Sequence, residues 1–196
     1  MKYTDTKQKI LLESVRLFAK CGYGAVSVGM IAEAAGIKPP SLYKHYKSKQ
    51  DIFNSILKEM ERRDAENAEE FSMPVETKEN NPQAYGNISA GNFAKYCKKM
   101  FLYWTKDDFA SSFRKMLTLE QYRSKKMNAL YNQYLCTGPL KYTEDLLGSA
   151  EKALELYAPM FMLYYAYDST NNKKKAMKML ETHLKNWEQK NNVKIR

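Results

Sequence analysis

Apolar residues recur along this chain at spacings of three and four, the period of a helix with one buried face. Over residues 5–21, Ile10, Leu11, Val15 and Phe18 follow that period, Lys7, Lys9 and Lys20 fall among the polar positions, and Gly22 and Gly24 end the run. Val28 to Ala35 predicts two further turns, in which Ile31, Ala34 and Ala35 share a face. Ser27 stands where a hydroxyl caps free N–H groups, and Gly36 where a helix ends in a left-handed residue. Pro39 and Pro40 suit the opening of a helix over 39–45, because the first N–H groups of a helix lack partners anyway. Ser48 and Asp51 form a capping box for a helix from Asp51 to Phe71. Its apolar stripe is thin (Ile52, Ile56, Met60, Phe71), and residues 59–70 are polar nearly all round, as in a connector.

Residues 72–92 carry Pro74, Pro82, Gly86, Gly91 and several asparagines with no helical period, which predicts a loop. Helical spacing resumes over 93–106, 109–121, 124–136 and 140–147, with a break at Gly138-Pro139. Residues 151–168 are broadly apolar and contain Pro159, an expected bend. Residues 173–190 place Ala176, Leu180, Leu184 and Trp187 on one face, and the tail 191–196 is expected to fray. The pattern predicts an all-α protein of about nine helices, with no strand and no internal repeat.

Two small helices about a glycine-bearing turn are a helix-turn-helix, whose second helix enters a DNA major groove. At 1.5 Å per residue, the segment 39–45 would be roughly 10 Å long, within the groove's width. Charge agrees: residues 36–49 hold Lys38, Lys44, Lys47 and Lys49 and no acid, which suits phosphate oxygens. The whole chain of 196 residues carries a formal charge of +10, a balance that favours a polyanionic partner or simply a soluble basic surface. Residues 1–60, with ten Lys/Arg against five Asp/Glu, hold +5 of it, so the excess is not confined to the motif.

Other chemistry is sparse. Cys21, Cys97 and Cys136 are odd in number and form no Cys-x-x-Cys, against a disulfide framework or zinc ribbon and for a reducing compartment. The N-terminus lacks the apolar run of a signal peptide, and the longest apolar-aromatic run, the twelve residues Leu156 to Tyr167, is too short to span a bilayer. A cytoplasmic protein with no membrane partner is expected. No metal-ligand spacing, P-loop or dinucleotide fingerprint occurs, so neither metal nor cofactor is expected. His45 and His183 are the two histidines, and nucleophilic catalysis would need a cysteine beside one of them, such as Cys136 with His183. The expectation is a protein that is not an enzyme.

The run Ser27-x3-Ile31-Ala32-x2-Ala35-Gly36-Ile37-x4-Leu42-Tyr43-x-His45-Tyr46-x-Ser48-Lys49 resembles the DNA-binding signature of the tetracycline-repressor (TetR) family over about residues 5–60. One departure is Lys38, where that family usually has Ser or Thr as the cap. The resemblance implies a three-helix DNA-binding head (1–50) and a helical effector-binding and dimerisation domain (51–196, with 72–92 a loop). Ser27, Tyr43, His45 and Lys49 would hold phosphates, with Lys38 able to reach one in place of its missing cap. Pro39, Pro40, Ser41 and Lys44 would face bases or thymine methyl groups. It further implies a homodimer on near-palindromic operator DNA, joined through the last two helices; Leu156, Met160, Leu163, Leu180, Leu184 and Trp187 are the candidates for that seam. An unidentified small-molecule effector would lie among Tyr103, Trp104, Phe113, Met116, Tyr122, Tyr131, Tyr134, Phe161 and Tyr164, residues that also suit an ordinary core. Nearby Asp107, Asp108 and Glu120 would favour a cationic effector or be solvated. The function expected is a ligand-released repressor. The alternative is a helical dimeric small-molecule-binding protein or enzyme with a vestigial head.

Overall fold

The structure, a computed structural model, describes residues 5–76, 78–86 and 88–191. Among them the chain forms α1 (Thr6–Cys21), α2 (Val28–Ala35), α3 (Pro39–Leu42), α4 (Lys49–Glu70), α5 (Ala90–Lys106), α6 (Asp108–Glu120), α7 (Lys125–Leu135), α8 (Thr137–Leu147), α9 (Ala150–Ser169) and α10 (Lys173–Lys190), with one 3-10 turn at Pro82–Gly86 and no strand. They gather into two compact units that are discontinuous in sequence. One holds the residues up to Arg63 together with Asp107–Tyr131, and the other Asp64–Lys106 together with residues from Asn132 on.

In the first unit α1 packs on α6 and α2, and α2 on α3. Its core is made of Ile10, Val15, Phe18, Ile31, Ala32, Leu42, Ile52 and Ile56, with Phe113, Met116 and Leu117 from α6, all fully buried. In α2 the inward positions are Ile31, Ala32 and Ala35; Ala34, placed on that face by spacing, is exposed. Acidic side chains are spent on caps and ion pairs. Asp107 accepts from the Ala110 N–H at 2.9 Å and from Arg63 at 3.3 Å, and Asp108 pairs with Arg16 of α1. The buried Glu120 carboxylate accepts the Tyr23 N–H at 3.0 Å. All three acids are thus engaged by groups of the first unit itself.

In the second unit α9 packs on α8, α10 and α5, and α5 on α10. The stretch after α4 is irregular but anchored. The Tyr142 hydroxyl donates to the Pro74 carbonyl at 3.0 Å and the Tyr85 hydroxyl to the Glu76 carbonyl at 2.9 Å, while Met73 is buried. Helix resumes at Ala90, ahead of the apolar period, because Ser89 caps it by accepting the Asn92 N–H at 3.1 Å. Thr77 and Asn87 of the expected loop, and residues 192–196 of the expected frayed tail, lie outside the described residues. The break expected at Gly138-Pro139 falls at Cys136 instead; Pro139 sits in the first turn of α8, where no intrahelical N–H is needed. The Lys173–Lys175 cluster opens α10, and the Lys173 ammonium lies 5.1 Å from the Tyr167 ring centroid.

Candidate nucleic-acid interface

The turn between α2 and α3 is built from its sequence. Ser27 caps α2 by accepting the Met30 N–H at 3.2 Å. Gly36 takes φ +70°, which a side chain resists, and lets the Ile37 N–H reach the Ala32 carbonyl and the Gly36 N–H the Glu33 carbonyl, both at 2.9 Å. Lys38 opens α3 with no side-chain cap. The regular α-helix stops at Leu42, shorter than the sequence suggests. Bonds of i to i+3 from Lys44 to Ser41 and from His45 to Leu42 carry the coil to Tyr46 as a tightened turn. Buried Leu42 and Tyr46 hold this segment from beneath; the Tyr46 hydroxyl donates to the Lys7 carbonyl at 3.2 Å, and burial pushes its phenol pKa up.

With Leu42 and Tyr46 turned in, the remaining side chains face out. Lys38, Pro39, Pro40, Lys44 and His45 are exposed, Tyr43 is 55% exposed, and Ser41 is half-buried. Ser27 is exposed too, and its hydroxyl hydrogen is not used by the cap it accepts. The structure adds Lys9, whose ammonium lies 3.5 Å from where a Cβ of Gly36 would stand, and Lys7, 5.5 Å from the Tyr46 ring centroid. The sequence places these two lysines at polar positions near the start of α1, a place that suits phosphate contact and plain solvation equally.

Lys49 departs from its expected role. Its ammonium donates to the Tyr23 and Val26 carbonyls, each at 2.8 Å, and sits 4.4 Å from the Tyr23 ring centroid. Two of its three donors are therefore spent fastening the α1–α2 connection to the start of α4. It is a tie inside the head rather than a cation held out to DNA.

The effector candidates divide between the two units. Phe113 and Met116 are core of the first unit, which also holds Tyr131, and Tyr122 is 89% exposed there. Tyr103, Trp104, Tyr134, Phe161 and Tyr164 belong to the second unit, where Tyr164 stacks on Phe101 with ring centroids 5.0 Å apart. The seam candidates Leu156, Met160, Leu163, Leu180, Leu184 and Trp187 are all buried inside the chain's own fold, so they offer no surface to a second copy. The His183 ring Nε2 lies 2.9 Å from the Leu156 carbonyl. Among the described residues no helix is long and apolar enough to cross a membrane, and no three His, Cys, Asp or Glu side chains gather as metal ligands.

Fold and surface together define an all-α protein with an N-terminal helix-turn-helix head. Residues 10–56 match the family described as bacterial regulatory proteins, tetR family. The HTH-type transcriptional regulator AcrR of Shigella flexneri is 42% identical over 52 residues, covering 26% of this chain and 24% of that protein. The matched part thus spans about a quarter of that relative's length. Whole-chain likeness is structural. The fatty acid degradation regulator FadR of Bacillus halodurans aligns with a TM-score of 0.63 at 15% identity, over 95% of this chain and 96% of that one. FadR of Bacillus subtilis, solved in complex with stearoyl-CoA, aligns with a TM-score of 0.63 at 18% identity, over 92% and 96%. The likeness to the tetR family of bacterial regulatory proteins is thus carried in sequence by residues 10–56, the helix-turn-helix head.

Proposed function

We propose that the protein is a DNA-binding transcriptional repressor, released from a near-palindromic operator when a small molecule binds its C-terminal unit. The outward face Lys38-Pro39-Pro40-Ser41, Tyr43-Lys44-His45 carries this reading: it is basic and rich in hydroxyls, and it has no acid. Lysines and hydroxyls suit phosphate oxygens, and the prolines and Ser41 suit thymine methyl groups. Reading two half-sites about 34–36 Å apart needs two heads, hence a homodimer. A face for it lies on α9, where Leu154, Ala158, Met162 and Tyr165 recur at i, i+4, i+8 and i+11 and are exposed, as is Met179 on α10. An effector lowers operator affinity only by binding the free and DNA-bound states differently. The protein performs no catalysis in this reading.

Selection of bound sequences from random duplex DNA tests it. A near-palindromic motif is expected, lost when Tyr43→Ala and Lys44→Ala are combined. Lys44→Ala alone should reduce the slope of log affinity against log salt by about one. Lys49→Ala should instead lower the urea midpoint, because two carbonyls lose their donor. No enrichment at low salt by a folded protein sinks the proposal.

A further inference from the structure

Buried polar side-chain atoms almost always have partners, and those that do not call for an explanation. Among the described residues two such atoms stand without one, Asp64 Oδ1 and Trp187 Nε1. Both belong to the second unit and border one run of rings. Trp187 of α10 meets Phe93 of α5 edge-on, with centroids 6.0 Å apart. Phe93 stacks on Tyr96 at 6.3 Å, and Tyr96 meets Phe71, just beyond α4, at 5.9 Å. Asp64 is on α4 and close enough to Tyr96 to act on it: burial pushes the Tyr96 phenol up, and neighbouring Cys97 and Asp64 push it further. Burial pushes the Cys97 thiol itself up to about 12, so it is neutral at the pH where Asp64 ionises.

This arrangement is a carboxylate without a counter-ion near Tyr96, one ring of a connected aromatic run. Burial raises its pKa from 3.8 to about 7, since no cation offsets the loss of water. An ammonium ion answers both features, because it supplies N–H donors and positive charge to a carboxylate and is attracted to ring faces. Trp187, with a free N–H at the other end of the run, suits an acceptor on the same molecule. We infer that Asp64, Phe71, Tyr96, Phe93 and Trp187 form the effector site, and that its ligand is a small organic amine with an apolar or aromatic body. The inference deepens the proposed function by naming the ligand class of the C-terminal unit.

The experiment titrates the full chain, without DNA, with phenethylamine and with 3-phenylpropanoate, a similar body of opposite charge, by calorimetry at pH 8. Saturable 1:1 binding of the amine is expected, with the carboxylate at least about tenfold weaker. Asp64→Asn keeps the shape, removes the charge, relieves the unpaired carboxylate and so should fold; it should weaken the amine about tenfold or more and leave neutral 2-phenylethanol unchanged. Equal binding of amine and carboxylate, no effect of Asp64→Asn, or no amine binding up to about 10 mM overturns the inference. The same preparation goes into the DNA selection. Amine binding without a DNA motif leaves the site standing and removes the repressor, and a motif without amine binding does the reverse.

Discussion

Asp64 shows how much one side chain departs from its pattern. In sequence it is one acid among many on a polar helix; in the fold it is mostly buried and uncompensated. A carboxyl raised from 3.8 to about 7 keeps its proton in the folded chain where the unfolded chain has released it. Folding stability is therefore greatest at the acid end of that interval and falls as pH rises through it. Asp64→Asn has no proton to lose. Its stability relative to the parent should be near equal at pH 4 and exceed it by at most about 4 kcal/mol at pH 8. Urea midpoints across this range check it, and parallel curves for the two proteins would remove the assigned burial. Glu59, on the same helix, has the opposite outcome. Burial would raise it, but Arg62 and Arg63, at 2.9 and 2.7 Å, hold its carboxyl below the usual range. Sequence separates neither acid from its neighbours, because the difference is made by which partners are near.

At the scale of elements, the head depends on contacts that its motif does not contain. Gly22 ends α1 at φ +82°, and a Cβ there would stand 2.8 Å from Glu120 Oε1 of α6. Gly22→Ala combines a strained backbone with displacement of the carboxylate that holds the Tyr23 N–H. A loss of about 1–3 kcal/mol is expected in urea unfolding, with unchanged m, and a loss under about 0.5 kcal/mol would refute the contact. The glycine was visible in the sequence as a terminator; the acid that makes it necessary lies nearly a hundred residues on. The same holds for the helix-turn-helix itself. Ser27, Gly36, the prolines and Ser48 act within a few residues of themselves, so their roles were legible from spacing. The length of α3 and the use of Lys49 were not, since both depend on what Leu42, Tyr46 and the Tyr23 carbonyl meet in space.

At the scale of the molecule, the proposed dimer face rests on which side of α9 the chain keeps for itself. Leu156, Met160 and Leu163 are spent on the protomer's own core, leaving Leu154 and Met162, at 55% and 68% exposure, for a partner. Leu154→Glu with Met162→Glu should convert a dimer to a monomer by light scattering, leave helicity unchanged and weaken operator binding, because one head reads one half-site. A dimer that survives both charges would place the seam elsewhere.

The sequence by itself determined the helical class, the helix-turn-helix and the outward identity of Pro39, Pro40, Tyr43, Lys44 and His45, because periodicity, caps and turn glycines act over a few residues. It could not decide which face of an apolar helix with two usable faces goes into the chain's own core. Nor could it decide which acids lose water without gaining a cation. Tertiary structure settled both, burying the expected seam residues, pairing Asp107, Asp108 and Glu120, and leaving Asp64 unpaired. Burial and charge compensation are properties of distant segments brought together, and no local pattern encodes them.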